Sequence, residues 1–190
     1  MRVIGGKARG RTLKSIPGKA TRPITDRVKE ALFNILAGEI EGARVLDLFG
    51  GTGAVGIEAL SRGATHATFV EISPRAYRVL KENLARTGFT DQACVIRGDA
   101  FGFLKGTPKT PYDFVYIAPP QYRRMWRKAL EMLDLYPEWV RDEGIIVVQI
   151  DPREREPITL RHYALEQERR YGDTLLLFYR KQPPTPPDDE

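Results

Sequence analysis

Apolar positions recur along this chain in two alternating rhythms, one typical of helices and one typical of buried strands. The first helical rhythm lies at residues 28–36, and Thr25 precedes it as a capping residue. Further helices are predicted where apolar residues recur every three or four positions, at 54–62, 74–87 and 122–133. Short apolar runs predict strands at 44–48, 67–70, 93–97, 114–117 and 144–150. Strands and helices therefore alternate over most of the chain.

The last part of the chain changes rhythm. Residues 161–170 and 174–180 predict two strands around the turn Tyr171-Gly172-Asp173, which is typical of a hairpin. Strands separated by single helices form a parallel sheet with helices on both faces, because parallel neighbours need a crossover connection. The pattern thus predicts an α/β fold whose seven-stranded sheet is mostly parallel and ends in an antiparallel hairpin. Ligands in such folds bind at the carboxyl ends of the strands, where the strand order reverses.

Length and composition favour one domain, because 190 residues with 42% hydrophobic content can bury one sizeable core. We divide the chain into a basic segment or small hairpin at 1–25, a folded domain at 26–182, and an acidic, proline-rich tail at 183–190 that we expect to be disordered. No apolar run approaches the roughly 18 residues that a membrane span needs, and no signal-peptide core is visible, so a cytoplasmic location is expected. Nothing in the sequence requires an oligomer.

Cys94 is the single cysteine of the chain, so an intramolecular disulfide is excluded. With only two histidines beside it, the sequence also argues against a metal site. Apolar residues follow Cys94 directly, and we interpret its side chain as a buried filler of the core.

Positive charge is concentrated at the N-terminus. Residues 1–30 hold nine Lys and Arg against two acids, a net charge of +7, whereas the whole chain carries +5. Such a segment would attract a polyanion, because each phosphate contact releases counterions. A charged tail with no partner would look alike. The candidate nucleic-acid contacts in this part of the chain are Arg2, Lys7, Arg9, Arg11, Arg22 and Arg27.

The strongest motif runs from residue 45 to 56, where a strand leads through a glycine-rich turn into a helix. Its Gly-x-Gly-x-x-Gly pattern lets the backbone approach a nucleotide-like ligand, either a dinucleotide or S-adenosylmethionine. Glu71, at the end of the second strand, suits the ribose hydroxyls of both. Asp47 favours S-adenosylmethionine, because a carboxylate there would repel a pyrophosphate and attract an ammonium and a sulfonium. A glycine turn with no ligand remains the structural alternative. The candidate cofactor contacts here are Asp47, Phe49, Gly50, Gly51, Thr52, Gly53, Glu71 and Ile72.

A third acid follows the third strand. Asp99 could accept a hydrogen bond from the adenine amino group, with Ala100 or Phe101 against the ring. The same residue could equally cap the helix that follows it. Asp99 and Ala100 are therefore weaker cofactor candidates than Asp47 and Glu71.

The segment after the fourth strand is a candidate for the reacting base. It reads Ala118, Pro119, Pro120, Gln121 and Tyr122, and its two prolines stop strand pairing and fix the direction of the backbone. Backbone carbonyls freed in this way could accept hydrogen bonds from an exocyclic amino group, and Tyr122 could stack on its base. A rigid turn with a packed tyrosine is the alternative. Arg123 and Arg124 follow as candidate phosphate contacts, although a solvated helix face would look the same.

Taken together, these segments resemble the bacterial 16S rRNA guanine-N2 methyltransferase family over nearly the whole chain, up to about residue 180. The resemblance is specific at residues 2–6 (RVIGG), 21–34 (TRPITDRVKEALFN), 47–56 and 58–64 (EALSRGA). It implies a Rossmann-like class I methyltransferase domain, S-adenosylmethionine as the methyl donor, and the N2 amino group of a guanine as the acceptor. The implied partner is 16S rRNA within a small ribosomal subunit or an assembly intermediate, with the basic N-terminal segment helping to bind it.

One departure from that family's pattern concerns the acceptor side. The family has Asp or Asn before the two prolines and an aromatic residue directly after them, whereas this chain has Ala118 and an inserted Gln121. Our hypothesis is that backbone carbonyls, with the Gln121 amide, replace the missing side chain. Three other functions stay open: methylation of a tRNA guanine or a DNA adenine, a cofactor-binding ribosome assembly factor without catalysis, and a dinucleotide oxidoreductase.

Overall fold

The computed structural model describes residues 1–18 and 23–184, and this part of the chain forms one central sheet with helices on both faces. The strands are β1 Arg44–Asp47, β2 His66–Glu71, β3 Ala93–Arg97, β4 Tyr112–Ile117, β5 Val140–Ile150, β6 Tyr163–Tyr171 and β7 Thr174–Lys181. The helices are α1 Asp26–Ile35, α2 Ala54–Ser61, α3 Pro74–Thr87, α4 Ala100–Leu104 and α5 Met125–Leu135. Single-turn 3-10 helices lie at Thr90–Gln92, Pro137–Trp139 and Pro152–Glu154.

The sheet has the order β3-β2-β1-β4-β5-β7-β6. Strands β1 to β5 pair in parallel, whereas β7 runs antiparallel to β5 and to β6. The predicted mostly parallel sheet with a C-terminal hairpin is therefore confirmed. Its order reverses between β1 and β4, which places a ligand site at the carboxyl ends of these two strands.

Successive side chains of a strand point alternately into two separate hydrophobic cores, one on each face of the sheet. On β1, Val45 belongs to the core beneath α1, α2 and α3, whereas Leu46 belongs to the core beneath α4 and α5. The same alternation separates Phe114 from Val115 on β4. Side chains two residues apart point to one face of a strand, so Asp47 lies on the face of Val45. Both faces of the sheet are therefore buried.

Most helix boundaries follow from local chemistry. The Thr25 hydroxyl accepts a hydrogen bond from the Val28 backbone N–H at 3.2 Å, and Ser73 caps α3 in the same way. The predicted helix start near Tyr122 is wrong, because Tyr122 and Arg124 have φ values of 62° and 52° and α5 begins at Met125. Strand β5 also begins earlier than predicted, at Val140.

The basic N-terminal segment forms a small hairpin packed on the domain. The Val3 N–H donates to the Arg11 carbonyl at 2.9 Å, and the Gly10 N–H donates to the Val3 carbonyl at 2.9 Å. Val3, Ala8 and Leu13 are buried in the same core as α1 to α3. Residues 1–18 are therefore part of the folded unit. Residues 19–22, with the candidate Arg22, and residues 185–190 of the predicted tail lie outside the described part of the chain.

A buried carboxylate on α2 anchors this hairpin. Glu58 accepts hydrogen bonds from the backbone N–H groups of Ile4 at 2.9 Å and Gly5 at 3.0 Å. It also pairs with Lys29 at 3.2 Å and with Arg62 at 2.8 Å. Burial lowers the pKa of Lys29, although the neighbouring Glu58 opposes that shift. Because a buried charge must be paired, these contacts hold residues 2–5, α1 and α2 in one arrangement.

The interpretation of Cys94 as a buried filler is wrong, since its side chain is exposed. Cys94 lies on β3, one of the two edge strands of the sheet, and in the described part of the chain β3 pairs with β2 alone. Across residues 1–18 and 23–184, no helix combines the length and apolar character needed to cross a membrane.

Candidate active site

A cavity of about 230 Å³ opens where the strand order reverses. Four side chains from the carboxyl ends of β1, β4 and β5 and from the residue after β4 form one wall: Asp47, Tyr116, Ala118 and Gln149. The glycine-rich loop forms a second wall with Phe49, Gly50, Gly51 and Thr52. Residues of the N-terminal segment cover the cavity: Met1, Ser15, Ile16, Pro17, Gly18, Pro23 and Ile24. The structure thus brings together six of the predicted site residues: Asp47, Phe49, Gly50, Gly51, Thr52 and Ala118.

Strand register explains why the wall residues converge. Asp47 on β1 is the direct partner of Tyr116 on β4, and Tyr116 is the partner of Val147 on β5. Direct partners project from the same face of a sheet, and so do residues two positions further along. Ala118 and Gln149, two residues after Tyr116 and Val147, therefore project from the same face of the sheet, nearer the carboxyl ends of the strands, and line the cavity.

The glycine-rich loop needs its glycines. Gly51 and Gly53 have φ values of 55° and 83°, a region that favours glycine. A Cβ atom on Gly53 would lie 2.2 Å from a methyl carbon of Leu80, and one on Gly56 would lie 2.3 Å from the ring of Phe69. Only glycine therefore fits at positions 53 and 56, where α2 begins close against Leu80 and Phe69.

Asp47 is the buried acid of the site. Its side chain is 1% exposed, and its Oδ2 accepts a hydrogen bond from the Gly56 N–H at 3.3 Å. Its Oδ1 has no hydrogen-bond partner among the described residues. Burial raises the pKa of Asp47 well above its usual range, and the nearby Glu71 adds to the increase. A buried oxygen without a partner at a cavity wall is suited to a cationic ligand group, which would restore the ionised form.

Glu71 joins the end of β2 to the glycine-rich loop. Its Oε1 accepts from the Gly51 N–H at 2.9 Å, and its Oε2 accepts from the Ser73 N–H at 2.8 Å. Each carboxylate oxygen has a further lone pair, so ribose hydroxyls can still donate to it. Ile72 follows with its side chain 66% exposed. Glu71, Ile72 and Gly53 lie beside the cavity and do not line it.

Asp99 caps α4, since its Oδ2 accepts from the Gly102 N–H at 3.0 Å. This is the structural alternative that the sequence left open, and the contact with adenine stays a prediction. Ala100 is buried, and the Phe101 ring lies in an edge contact with the Phe49 ring, with centroids 6.1 Å apart. These residues also stand outside the cavity lining.

Residues 118–122, the segment predicted to contact the methyl-accepting base, do not all reach the cavity. Ala118 lines the cavity, whereas Pro119, Pro120, Gln121 and Tyr122 do not. Tyr122 is 57% exposed, and its hydroxyl donates to Asp151 at 3.1 Å and accepts from Arg153 at 2.6 Å. Arg153 in turn holds the pKa of Asp151 below its usual range. Tyr122 is thus tied to the loop after β5, and its stacking on a base stays a prediction.

The basic side chains predicted to contact phosphates differ in whether they already have partners within the protein. Arg2 pairs with Asp26 at 3.6 Å and Arg124 pairs with Glu156 at 2.9 Å, so these two cations are partly neutralised. Arg11 donates to the Arg86 carbonyl at 3.0 Å. The remaining described candidates are exposed: Lys7, Arg9, Arg27 and Arg123.

Sequence reasoning missed three residues of this region. Tyr116 and Gln149 looked like parts of buried strands, and only the pairing of β1, β4 and β5 places them beside Asp47. Asn83 lies on α3, where its side chain donates to the Thr52 carbonyl at 2.9 Å and so holds the glycine-rich loop. Its place on an otherwise apolar helix face was the available signal.

The sheet order and this site define a Rossmann-like methyltransferase, a class whose methyl donor is S-adenosylmethionine. Residues 1–180 match the family described as conserved hypothetical protein 95. The ribosomal RNA small subunit methyltransferase D of Escherichia coli is 36% identical over 96% of this chain and 90% of its own length. The chain therefore belongs to the conserved hypothetical protein 95 family.

Solved structures agree with this assignment. An Escherichia coli protein provisionally named a methyltransferase superposes with a TM-score of 0.84 at 36% identity, covering 96% of this chain and 98% of its own. An RNA methyltransferase from Salinibacter ruber in complex with S-adenosylhomocysteine gives a TM-score of 0.65 at 16% identity, covering 89% of this chain and 99% of its own. The second likeness is one of fold alone.

Proposed function

We propose that this protein transfers a methyl group from S-adenosylmethionine to the exocyclic N2 amino group of a guanine in small-subunit ribosomal RNA. The observation that carries the proposal is the position of Asp47 beside a glycine-rich loop at the switch point of the sheet. Asp47 is buried there, and among the described residues its Oδ1 has no hydrogen-bond partner. Both features border one cavity.

The residues present fit S-adenosylmethionine. The Asp47 carboxylate would hold the ammonium group, because a cation restores the charged form that burial disfavours. The glycine-rich loop and the first turn of α2 would face the ligand's carboxylate, which the N-terminus of a helix favours. Glu71 would take the ribose hydroxyls, and Ile72 with Asp99 would border the adenine. A dinucleotide suits this site poorly, since its pyrophosphate would meet Asp47.

When bound, S-adenosylmethionine supplies an electrophilic methyl group on a sulfonium. The protein's own part is to orient the acceptor nitrogen, which fixes the reacting geometry. It also excludes water, which strengthens the electrostatic interactions inside the site. The cover formed by Ile16, Pro17 and Ile24 is apolar and reduces access of water from the N-terminal side. No strong general base is needed before transfer, because the amino lone pair is the nucleophile.

Two observations favour an RNA substrate. The relative from Escherichia coli is named for small-subunit ribosomal RNA, and it matches nearly the whole chain. The hairpin packed on α2 also exposes Lys7 and Arg9, which suits a phosphate backbone. A base must leave its stack to enter a cavity of this kind, so a loop or a partly assembled subunit is a better substrate than a duplex.

The test offers labelled S-adenosylmethionine and the purified protein to four substrates in parallel: naked 16S rRNA, small ribosomal subunits, tRNA and duplex DNA. We expect label in one or both of the small-subunit substrates. Transfer to tRNA or DNA alone would overturn the proposed substrate. Binding of S-adenosylmethionine in a calorimeter without transfer to any substrate would instead indicate an assembly factor, and tighter binding of NAD would indicate an oxidoreductase.

A further inference from the structure

Ala118 presents only a methyl group to the cavity, so an amino group there finds no acceptor on that side chain. An exocyclic amino group needs such acceptors, because they orient its N–H bonds and turn its lone pair toward the methyl donor. Gln121 lies outside the cavity lining and does not supply one there.

Two other polar side chains stand beside Ala118. The Tyr116 hydroxyl donates a hydrogen bond to Oε1 of Gln149, and both side chains line the cavity. Tyr116 is 4% exposed and sits two residues before Ala118 on the same face of β4. Val147 on β5 is the direct partner of Tyr116 on β4. Gln149 lies two residues after Val147, as Ala118 lies two residues after Tyr116, so Gln149 and Ala118 are neighbours across the two strands.

The other polar groups that line the cavity either have another role or partner or lie away from Ala118. Asp47 is the site for the ammonium group, and the Thr52 carbonyl is occupied by Asn83. The Thr52 hydroxyl contacts Met1 Sδ at 3.6 Å, and Ser15 is an exposed residue of the cover. Tyr116 and Gln149 are thus the side-chain acceptors closest along the sheet to Ala118, and the backbone carbonyl of Ala118 stays a predicted acceptor beside them.

We propose that the hydrogen-bonded pair of Tyr116 and Gln149 binds the amino group of the methyl-accepting base, in place of a side chain at position 118. This inference rests on the proposed function. The Tyr116 oxygen has lone pairs left for an incoming N–H, and the Gln149 oxygen has a second one. Burial raises the pKa of Tyr116, and Asp47 adds to the increase, so the hydroxyl stays neutral and keeps its bond to Gln149.

In the reaction, the amino nitrogen uses its lone pair to form the new N–C bond, and the electrons of the C–S bond return to sulfur. The nitrogen then carries a positive charge and releases its extra proton to water. The pair of Tyr116 and Gln149 neither gains nor loses a proton in this scheme. Both side chains are catalytic residues in the sense that they touch the reacting group.

The first test measures binding in place of turnover. The protein saturated with S-adenosylhomocysteine is titrated with guanosine monophosphate and with inosine monophosphate, which differ only in the amino group, and affinities are read by NMR. Wild-type protein should prefer the guanosine ligand by about three- to tenfold, the value of one or two neutral hydrogen bonds. Tyr116→Phe should reduce this preference, and Tyr116→Phe with Gln149→Leu should abolish it.

Tyr179→Phe is the matched control, because Tyr179 is also a buried tyrosine and its hydroxyl has no partner among the described residues. It should keep the wild-type preference. Thermal unfolding must be similar in all three variants, so that loss of preference is not loss of fold. A wild type without preference, or a double variant that keeps it, would overturn the inference.

The second test separates kcat from KM on the ribosomal substrate found above. The double variant should lose kcat by about ten- to a hundredfold, with the dissociation constant of S-adenosylmethionine unchanged. Unchanged kcat would also overturn the inference. If wild-type protein methylates no RNA, the proposed function fails, whereas the mononucleotide comparison still decides whether the pair reads an amino group.

Discussion

The side-chain amide of Asn83 makes two reciprocal hydrogen bonds with the backbone of Lys14. Its Oδ1 accepts from the Lys14 N–H at 2.7 Å, and its Nδ2 donates to the Lys14 carbonyl at 3.0 Å. The same Nδ2 donates to the Thr52 carbonyl at 2.9 Å. One buried residue of α3 therefore joins the segment that covers the cavity to the loop that borders it.

Asn83→Ala should loosen both segments together. The variant leaves partly buried backbone groups of Lys14 and Thr52 without these partners, which costs about 1–3 kcal/mol of unfolding free energy. We also expect weaker S-adenosylmethionine binding, because the glycine-rich loop loses its tether. Denaturant unfolding and calorimetry measure the two effects.

Glu82→Ala is the control for this variant, because Glu82 is exposed and pairs with the Lys14 ammonium at 2.9 Å while leaving its backbone alone. It should change neither the unfolding free energy nor the affinity for S-adenosylmethionine noticeably, since surface ion pairs contribute little to stability. Equal effects of the two substitutions would contradict a role for the buried amide.

Gly6→Ala should detach the hairpin from α2. Gly6 and Gly10 have nearly equal φ values, 80° and 85°, so alanine is strained by about 1–2 kcal/mol at either position. A Cβ atom on Gly6 would lie 1.8 Å from the Ser61 carbonyl oxygen, whereas one on Gly10 meets nothing within 4 Å. Gly6→Ala should therefore destabilise the protein by roughly 1–3 kcal/mol more than Gly10→Ala. Similar unfolding free energies would show that the hairpin is not held against α2.

Asp47→Asn should separate cofactor binding from stability. Removing the charge opposite an ammonium should weaken S-adenosylmethionine binding by about ten- to a hundredfold, the value of a charged hydrogen bond. In the unliganded protein, the raised pKa means that the folded state binds the proton more tightly than the unfolded state. Stability should therefore fall as the pH rises through the interval between the ordinary and the raised pKa.

The variant should lack this fall and should be at least as stable as wild type at pH 7 without ligand. Conversely, wild-type affinity for S-adenosylmethionine should decline as the pH drops through the raised pKa, and that decline should be absent from Asp47→Asn. Calorimetry and unfolding across a pH series measure both trends. A variant that binds like wild type would remove Asp47 from the cofactor site.

Lys7→Ala with Arg9→Ala should weaken RNA binding in a salt-dependent way. Both side chains are exposed on the hairpin, and two lost phosphate contacts should lower the slope of log affinity against log salt by about 1.4 for single-stranded RNA. Lys105→Ala with Lys109→Ala is the control, because these exposed lysines follow α4, which packs on the other face of the sheet from the hairpin. If both pairs change the slope equally, the hairpin has no special contact with RNA.

The cavity wall formed by Asp47 and the glycine-rich loop could be predicted from the sequence because its features are local. Asp47, the glycine turn and the start of α2 are contiguous, and strand periodicity puts Asp47 on the face that becomes the cavity wall. Caps such as Thr25 and Ser73 are equally local. Each of these features depends on residues within about ten positions of one another.

The acceptor side could not be predicted in this way. The neighbourhood of Asp47, Tyr116 and Gln149 depends on strand order, which periodicity does not reveal. Glu58 binds the backbone of Ile4 across 54 positions of sequence, so the packing of the basic segment on α2 could not be predicted from local patterns. Tyr122 followed the helical spacing, but its positive φ is not helical and α5 begins only at Met125.

The most direct test of the central claim is the chemical identity of the methylated nucleoside. Small-subunit RNA treated with the protein and S-adenosylmethionine is digested to nucleosides and analysed by mass spectrometry against methylated standards. The account predicts N2-methylguanosine, formed by wild-type protein and strongly reduced with Asp47→Asn. A methyl group on any other atom or base, or no methylated nucleoside at all, would contradict it.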